Sequence, residues 1–196
     1  MKKVLSLVVV LVLFAGFTNG QSKITLGVGG TLALPMGTFA DASSMGFGGL
    51  VRGEMGFGTI VGTASLGYLM FPGKDISEEV YPGVNATYSS SFSAIPILVG
   101  AKYSFAPGLY GSVEAGLNML SWTAKYDVPA ITVGSYTVPA SSGETTGSET
   151  KFGFAVGVGY QVSSFDISLK YQNLGTPEGG DALNFVGVNV LYNFGL

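Results

Sequence analysis

A two-residue alternation of apolar and small or polar residues recurs along most of this chain and limits its fold more than any other feature. The segment FGFAVGVGYQVSSFDISLKYQ, residues 152–172, shows the pattern on both sides of Ser163 and Ser164. Every second residue from Phe152 to Val162 is apolar, and the alternation resumes from Phe165 to Tyr171. Because successive side chains of a β-strand point to opposite faces, this segment predicts two strands joined by a tight turn.

Segments with the same alternation predict eight strands. Most of them are about 11–14 residues long, whereas strands of soluble proteins typically have roughly 5–6 residues. Roughly 9–11 residues are enough to cross a bilayer at a tilt of about 45°. The predicted strands are residues 23–34, 45–57, 60–71, 92–105, 109–122, 151–162, 165–174 and 184–194.

The connections between these strands alternate between short and long. Tight turns are predicted at residues 58–59, 106–108 and 163–164. The longer connections are residues 35–44, 72–91, 123–150 and 175–183. Strict alternation places every tight turn at one end of an antiparallel sheet and every long loop at the other, which is typical of a transmembrane barrel.

The composition restricts the chemistry available to the chain. Charged residues make up 11% of it, against about 25% in soluble domains. Outside the first twenty residues, no apolar run approaches the roughly 20 residues of a spanning helix. Histidine and cysteine are absent from the sequence, which excludes disulfides, thiolate chemistry, an imidazole base and a standard zinc site.

The first twenty residues resemble a secretory signal peptide. Lys2 and Lys3 precede an apolar run, Val4–Phe14, and small or polar residues follow up to a predicted cleavage near Gly20. The alternative is a single membrane anchor, for which the apolar run is short. Removal of this segment leaves 7 basic and 12 acidic residues, a net charge of −5, so we expect an exported protein that does not bind nucleic acid.

The two faces of the predicted strands differ in a way that favours a membrane barrel. One face is almost entirely apolar, and the other carries Gly, Ser, Thr, Asn and a few charges. A soluble sandwich would present a charged face to water, and a soluble lipocalin-like barrel would have an apolar lumen and a charged exterior. Aromatic residues predict two girdles at the bilayer interfaces. One comprises Phe57, Phe105, Tyr110, Phe165 and Phe194, near the tight turns, and the other Phe47, Phe71, Phe92, Trp122, Phe152, Tyr171 and Phe185, near the long loops.

Three segments resemble the small eight-stranded bacterial outer-membrane barrels of the OmpA/OmpX type, in particular their single-domain members. They are GVGGTLALPMGTF at Gly27–Phe39, GFGGLVRGEMGF at Gly46–Phe57 and NFVGVNVLYNF at Asn184–Phe194. The resemblance implies an all-β, eight-stranded antiparallel up-and-down barrel over residues 21–196, monomeric and set among lipid and lipopolysaccharide in the outer membrane of a Gram-negative bacterium. It also implies that the insertion machinery reads the last strand at Tyr192 and Phe194, although Gly195 and Leu196 follow where the family usually ends on an aromatic residue.

Seven charged residues fall on the predicted lumen face. Four of them lie about six residues from the nearest tight turn and so at a similar depth. The hypothesis is that these four residues form one connected ionic layer; they are Arg52, Lys102, Glu114 and Lys170. Glu54 and Asp166 complete the candidate set, with Asp166 closer to the periplasmic mouth. Lys151 is the seventh charge on the lumen face. Such a layer is either a plug that could be gated or static compensation of charges that cannot stay buried alone. We expect Lys102 to face Ser112, and Gly157 to leave room for Lys170.

Signals for catalysis are weak, and the sequence predicts no catalytic residue, cofactor or metal site. Barrel enzymes of this class rely on a histidine, and the serines at 89–91 and 141–142 have no base nearby. Glu78 and Glu79 are adjacent and so point to opposite sides of a strand. The function predicted is therefore structural or surface interaction; the alternative is a narrow channel or a carrier for small or hydrophobic molecules.

The two longest connections, 72–91 and 123–150, are predicted to meet an extracellular partner. The segment Ala130–Ala140 alternates around Gly134 and Ser135, which predicts a hairpin that extends the flanking strands beyond the membrane. The alternative is a flexible, solvated loop.

Overall fold

A computed structural model describes residues 24–81, 84–133 and 136–195. The predicted signal peptide, residues 1–20, lies outside the described residues. Within that part of the chain, eleven strands and one short helix, α1 (Thr38–Ala42), are found. The strands are β1 (Ile24–Met36), β2 (Gly46–Phe57), β3 (Ile60–Pro72), β4 (Ile76–Tyr81), β5 (Val84–Ala106), β6 (Leu109–Val128), β7 (Ile131–Val133), β8 (Tyr136–Val138), β9 (Ser141–Val162), β10 (Phe165–Asn173) and β11 (Asn184–Gly195).

Eight of these strands close into a ring, which confirms the predicted antiparallel barrel. The neighbours run β3-β2-β1-β11-β10-β9-β6-β5, and pairing of β3 with β5 closes the circle. The predicted registers are confirmed: Lys102 lies opposite Ser112, and Lys170 lies opposite Gly157. Each of the eight strands thus has a neighbour on both sides, which is the condition for β-structure to cross a membrane.

The apolar set of alternating positions faces outward, as predicted. Val113, Val99 and Phe165 on three different strands are each at least half exposed. The opposite set lies inside the barrel and is largely polar, from Thr31 and Thr63 to Asn189. An apolar exterior around a polar interior reverses the arrangement of a soluble barrel, because the exterior is matched to hydrocarbon.

No helix among the described residues is long and apolar enough to span a membrane.

Several aromatic residues assigned to the girdles lie inside the barrel, so that part of the prediction is wrong. Tyr110, Phe71 and Phe185 are almost fully buried. The physical reason is strand parity: Phe71 shares its face with the buried Leu69, and Phe185 shares its face with Asn189. Depth along the barrel does not decide whether a ring meets lipid or lumen, because alternation along the strand does.

These inward rings build an apolar cluster at the long-loop end of the lumen. Phe71 packs against Phe39 of α1 and against Phe185, with ring centroids 4.9 and 5.6 Å apart. Phe92 lies 5.3 Å from Phe39 in an edge-to-face arrangement. We call this set the aromatic plug; its members are Phe39, Leu69, Phe71, Phe92, Leu120, Leu174 and Phe185.

The helix α1 is tied across the mouth of the barrel by hydrogen bonds to the end of β3. The amide of Ser44 donates to the carbonyl of Pro72 at 2.7 Å, and the amide of Lys74 donates to Ala42 at 3.1 Å. The ammonium of Lys74 also donates to the carbonyl of Ala40 at 2.7 Å. These bonds hold the five-residue helix where Phe39 enters the lumen.

Strands β5, β6 and β9 continue well past the ring. They contain 23, 20 and 22 residues, and β4 pairs with the extension of β5. The protruding sheet consists of β4 with residues 85–91 of β5, 121–128 of β6 and 141–150 of β9. The extended strands β6 and β9 agree with the hairpin predicted to project beyond the membrane. Within the segment that connects them, β7 pairs with β8. Gly134 and Ser135, between β7 and β8, lie outside the described residues. The segment 72–91 is predicted as a long connection, but most of its described residues belong to β4 and β5.

Candidate functional site

Arg52 is the centre of a charged network inside the barrel, between the tight turns and the aromatic plug. Its side chain is fully buried. One terminal nitrogen, Nη1, lies 3.6 Å from Glu54 Oε1 and 3.6 Å from Asp166 Oδ2, and Nε lies 4.0 Å from Glu114 Oε1. Three strands, β2, β6 and β10, thereby meet at one guanidinium group.

Lys102 reaches the same acids from β5. Its ammonium donates to Glu54 Oε1 and, at 2.6 Å, to Asp166 Oδ2. The hydroxyl of Tyr110 donates to the other Asp166 oxygen at 2.6 Å, and Lys102 Nζ lies 4.3 Å from the centre of the Tyr110 ring. Asp166 lies beside the β9–β10 turn, closer to that end of the barrel than Lys170. It is nevertheless joined to the other charged groups through Lys102 and Arg52.

Lys170 and Glu114 form the part of the network nearest to the long-loop end of the barrel. The ammonium of Lys170 donates to Glu114 Oε2 at 2.7 Å, and the hydroxyl of Thr63 lies 3.4 Å from Glu114 Oε1. Since Glu114 also pairs with Arg52, all six side chains are connected through shared carboxylates. We call them the ionic layer: Arg52, Glu54, Lys102, Glu114, Asp166 and Lys170.

The ionic layer contains equal numbers of positive and negative groups. Arg52, Lys102 and Lys170 supply three cations, and Glu54, Glu114 and Asp166 supply three anions; all are buried. Removing an ionised group from water costs several kcal/mol, so a buried charge without a partner is strongly destabilising. The balance of the layer compensates that cost. Lys151, the remaining predicted lumen charge, lies apart and pairs with Glu149 at 3.0 Å.

Glycines on neighbouring strands make room for these long side chains. A Cβ at Gly157 would lie 2.6 Å from Lys170 Cγ, and one at Gly100 would lie 2.8 Å from Glu114 Cγ. The space above Gly159 is filled by the ring of Tyr110. Each of these glycines lies directly opposite the residue it accommodates, so sequence register alone identifies the pairs.

Between the ionic layer and the aromatic plug lies a thin polar zone. The hydroxyl of Thr31 donates to Asn189 Oδ1 at 2.7 Å, and Asn189 Nδ2 donates to Ser168 at 3.3 Å. A cavity of about 20 Å³ lies here, bordered by Thr31, Glu114 and Lys170, room for about one water molecule. The side chains therefore fill the lumen over most of its length.

Among the described residues, no group of three or more His, Cys, Asp or Glu side chains has the arrangement needed to hold a metal ion. Two acids of the long connections have other neighbours: Glu78 lies on the strand β4 opposite Ala86, and Glu144 forms a surface ion pair with Lys125 at 3.1 Å. The structure thus gathers its buried titratable groups mainly in one place, the ionic layer.

Comparison with protein families and solved structures gives a consistent result. The family described as outer membrane protein beta-barrel domain matches residues 5–194. The crystal structure of Ail, the attachment invasion locus protein of Yersinia pestis, solved with the heparin analogue sucrose octasulfate, is similar with a TM-score of 0.51 and 10% identity, over 89% of this chain and 100% of that one. A major outer membrane protein from Thermus thermophilus also has a TM-score of 0.51, with 11% identity over 87% and 99% of the two chains. Comparison with curated protein sequences finds no relative.

Proposed function

Because the chain belongs to the outer membrane protein beta-barrel domain family and is a protein of the Gram-negative outer membrane, we propose that it acts there as a sealed barrel with a structural and surface-interaction role. The observation that supports this most is the filling of the lumen. The ionic layer closes the periplasmic half, and the aromatic plug closes the extracellular half. Between them lies the cavity of about 20 Å³.

The two closures are chemically different, which supports a permanent seal. Ion passage would have to break the pairs that join Arg52 to three carboxylates, and each broken pair would leave a buried charge uncompensated. Passage of an apolar molecule would have to displace Phe39 and Phe71 from a packed cluster. No single permeant is suited to both regions.

The protruding sheet supports the surface-interaction role. Short turns of such barrels face the periplasm and long connections face the exterior, so this sheet extends outside the cell. Ail was solved with a sulfated ligand; here the excess of acidic residues makes a polyanion a poor ligand, since like charges repel. We therefore expect the partner to be uncharged or basic.

The partners predicted in the membrane follow from the same geometry. We propose that lipid and lipopolysaccharide surround the apolar exterior, that the barrel is monomeric and that the insertion machinery reads β11. Tyr192 and Phe194 support the last point, since both are exposed and their rings meet edge to face at 4.8 Å. We propose no catalytic role, because the chain has no histidine and the three acids of the ionic layer are all paired.

Liposome swelling tests the proposed function. Purified barrel is reconstituted into vesicles loaded with a large polysaccharide and diluted into isotonic solutions of a pentose or glycine. We expect no swelling above that of empty vesicles, with a known porin as the positive control. Swelling that increases with the amount of folded barrel would favour the alternative function, a narrow channel for small molecules.

A further inference from the structure

The protruding sheet has two unlike faces. Its strands keep an unbroken register from the barrel upward, so side chains that continue the lumen-facing positions form one face, here called the inner face. On this face, Trp122 lies opposite Phe92 and Tyr126 lies opposite Tyr88. The opposite face, here called the outer face, carries hydroxyl and charged groups, including Thr123 and Lys125.

The two large rings of β6 lie across glycines of β9. Trp122 is paired with Gly147, and Tyr126 is paired with Gly143. In each pair the ring occupies the position that a Cβ of the glycine would take. A side chain at either glycine would push the ring upright; without one, the ring rests on the strand and one of its faces remains open.

These rings are partly exposed although they continue the lumen-facing side of their strands and not the lipid-facing side. Tyr88, Trp122 and Tyr126 are 41%, 42% and 43% exposed. Their base is rigid, because Phe92, opposite Trp122, packs into the aromatic plug against Phe39 and Phe71. The inner face is thus a fixed strip of open aromatic faces that continues a packed core, which is the geometry of a preorganised binding surface.

We propose that the inner face of the protruding sheet binds an uncharged pyranose oligosaccharide by stacking sugar rings on Trp122, Tyr126 and Tyr88. One face of a pyranose ring presents C–H groups, which match an aromatic face, while its hydroxyls need hydrogen-bonding groups at the edge. Thr145 and Ser90 lie on the same face in the register, and the Glu149–Lys151 pair lies at its lower end. This surface-binding role rests on the proposed function above.

Charge and orientation specify the ligand further. The acidic excess of the chain disfavours sulfated or phosphorylated sugars. Lipopolysaccharide in the surrounding leaflet approaches the barrel from the side and meets the outer face, whereas the inner face lies over the barrel mouth. The ligand therefore arrives from the extracellular space.

The spacing of the rings predicts a dependence on ligand length. Trp122 and Tyr126 are four residues apart on one strand, which corresponds to about 13 Å. A single sugar ring cannot contact both. We therefore expect tri- and tetrasaccharides to bind more tightly than the corresponding monosaccharide.

The fluorescence of Trp122, which is the only tryptophan in the sequence, tests this proposal directly. Folded barrel in lipopolysaccharide-free nanodiscs is titrated with neutral oligomers of glucose, galactose, mannose and N-acetylglucosamine, and with a heparin oligosaccharide. We expect a saturable emission change with at least one neutral series, stronger for longer oligomers, and none with heparin. Tyr126→Ala should raise the dissociation constant about two- to tenfold, while Lys125→Ala on the outer face should leave it unchanged.

Three results would overturn the proposal: no saturable change with any neutral oligomer, an equal loss of affinity in the Lys125→Ala control, or a change produced only by lipopolysaccharide placed in the same nanodisc. Binding by heparin alone would show an anion site instead. Swelling of liposomes would contradict the sealed barrel without altering any of these fluorescence results, so the two failures are distinguishable.

Discussion

Gly157 lies directly opposite Lys170 across the β9–β10 hairpin, and the stem of the lysine occupies the space that any larger residue would need. The lysine in turn reaches Glu114 on β6. A missing side chain on one strand thereby allows a buried ion pair between two others. This relationship explains why glycine is frequent on the lumen side of a chain whose lumen is nevertheless full.

Gly157→Ala should destabilise the barrel. The added Cβ would lie 2.6 Å from Lys170 Cγ and 2.5 Å from the carbonyl oxygen of Leu169, so the free energy of unfolding should fall by about 1–3 kcal/mol. Gly53→Ala is the matched control, since its Cβ would meet nothing closer than 3.9 Å. Urea unfolding in lipid vesicles measures both; equal stabilities of the two variants would contradict this account of glycine placement.

Neutralising one member of the ionic layer should cost more than neutralising two opposite members together. Glu114→Gln or Lys170→Met alone leaves an uncompensated buried charge, and we expect a loss of about 3–5 kcal/mol. The double variant restores the balance of charges and should lose less than either single variant. Lys125→Ala, which breaks a surface pair of half-exposed groups, should cost under about 1 kcal/mol.

A double-mutant cycle on these two residues, measured by urea unfolding at one pH and salt concentration, checks this prediction. Additive losses would show that Glu114 and Lys170 act independently. The single buried network would then be wrong.

Phe71→Ala should open a cavity in the aromatic plug. The ring is fully buried and contacts Phe39, Phe92 and Phe185, so we expect a loss of about 3–5 kcal/mol. Phe152→Ala removes a ring that is 67% exposed on the outer wall. Lipid can fill the space left there, so the midpoint temperature of the heat-induced gel shift should fall less; the reverse order would place Phe71 outside the core.

The sequence predicts the barrel well because alternation reports directly which face each residue takes. The same rule applied to Gly157 and Lys170 yields their pairing, and counting from the tight turns brings Arg52, Lys102 and Glu114 to one depth. Strand position places the backbone of Asp166 correctly near the tight turns, but it does not show that side chains from farther up the barrel reach it. The long side chains of Arg52 and Lys102 come down to its carboxylate from above.

The aromatic plug escapes prediction for a different reason. Phe71 and Phe185 have the depth of a girdle, although their parity places them inside. Phe39 lies on α1, where no alternation exists to report its direction. The serine-rich composition of the β5 extension predicts a loop. Tyr88 and Phe92, however, are an even number of residues apart, which would place both on one face of a strand.

Single-channel recording in planar bilayers tests the central claim, that the lumen is closed at two levels. We predict that the wild-type barrel is electrically silent. The double variant Lys102→Ala/Glu114→Ala and the double variant Phe39→Ala/Phe71→Ala should each conduct little, because one closure remains in each. The quadruple variant, which lacks both closures, should give steady conductance. Folding of each variant is verified by its heat-modifiable migration. Steady conductance of the wild-type barrel, or silence of the folded quadruple variant, would contradict the account.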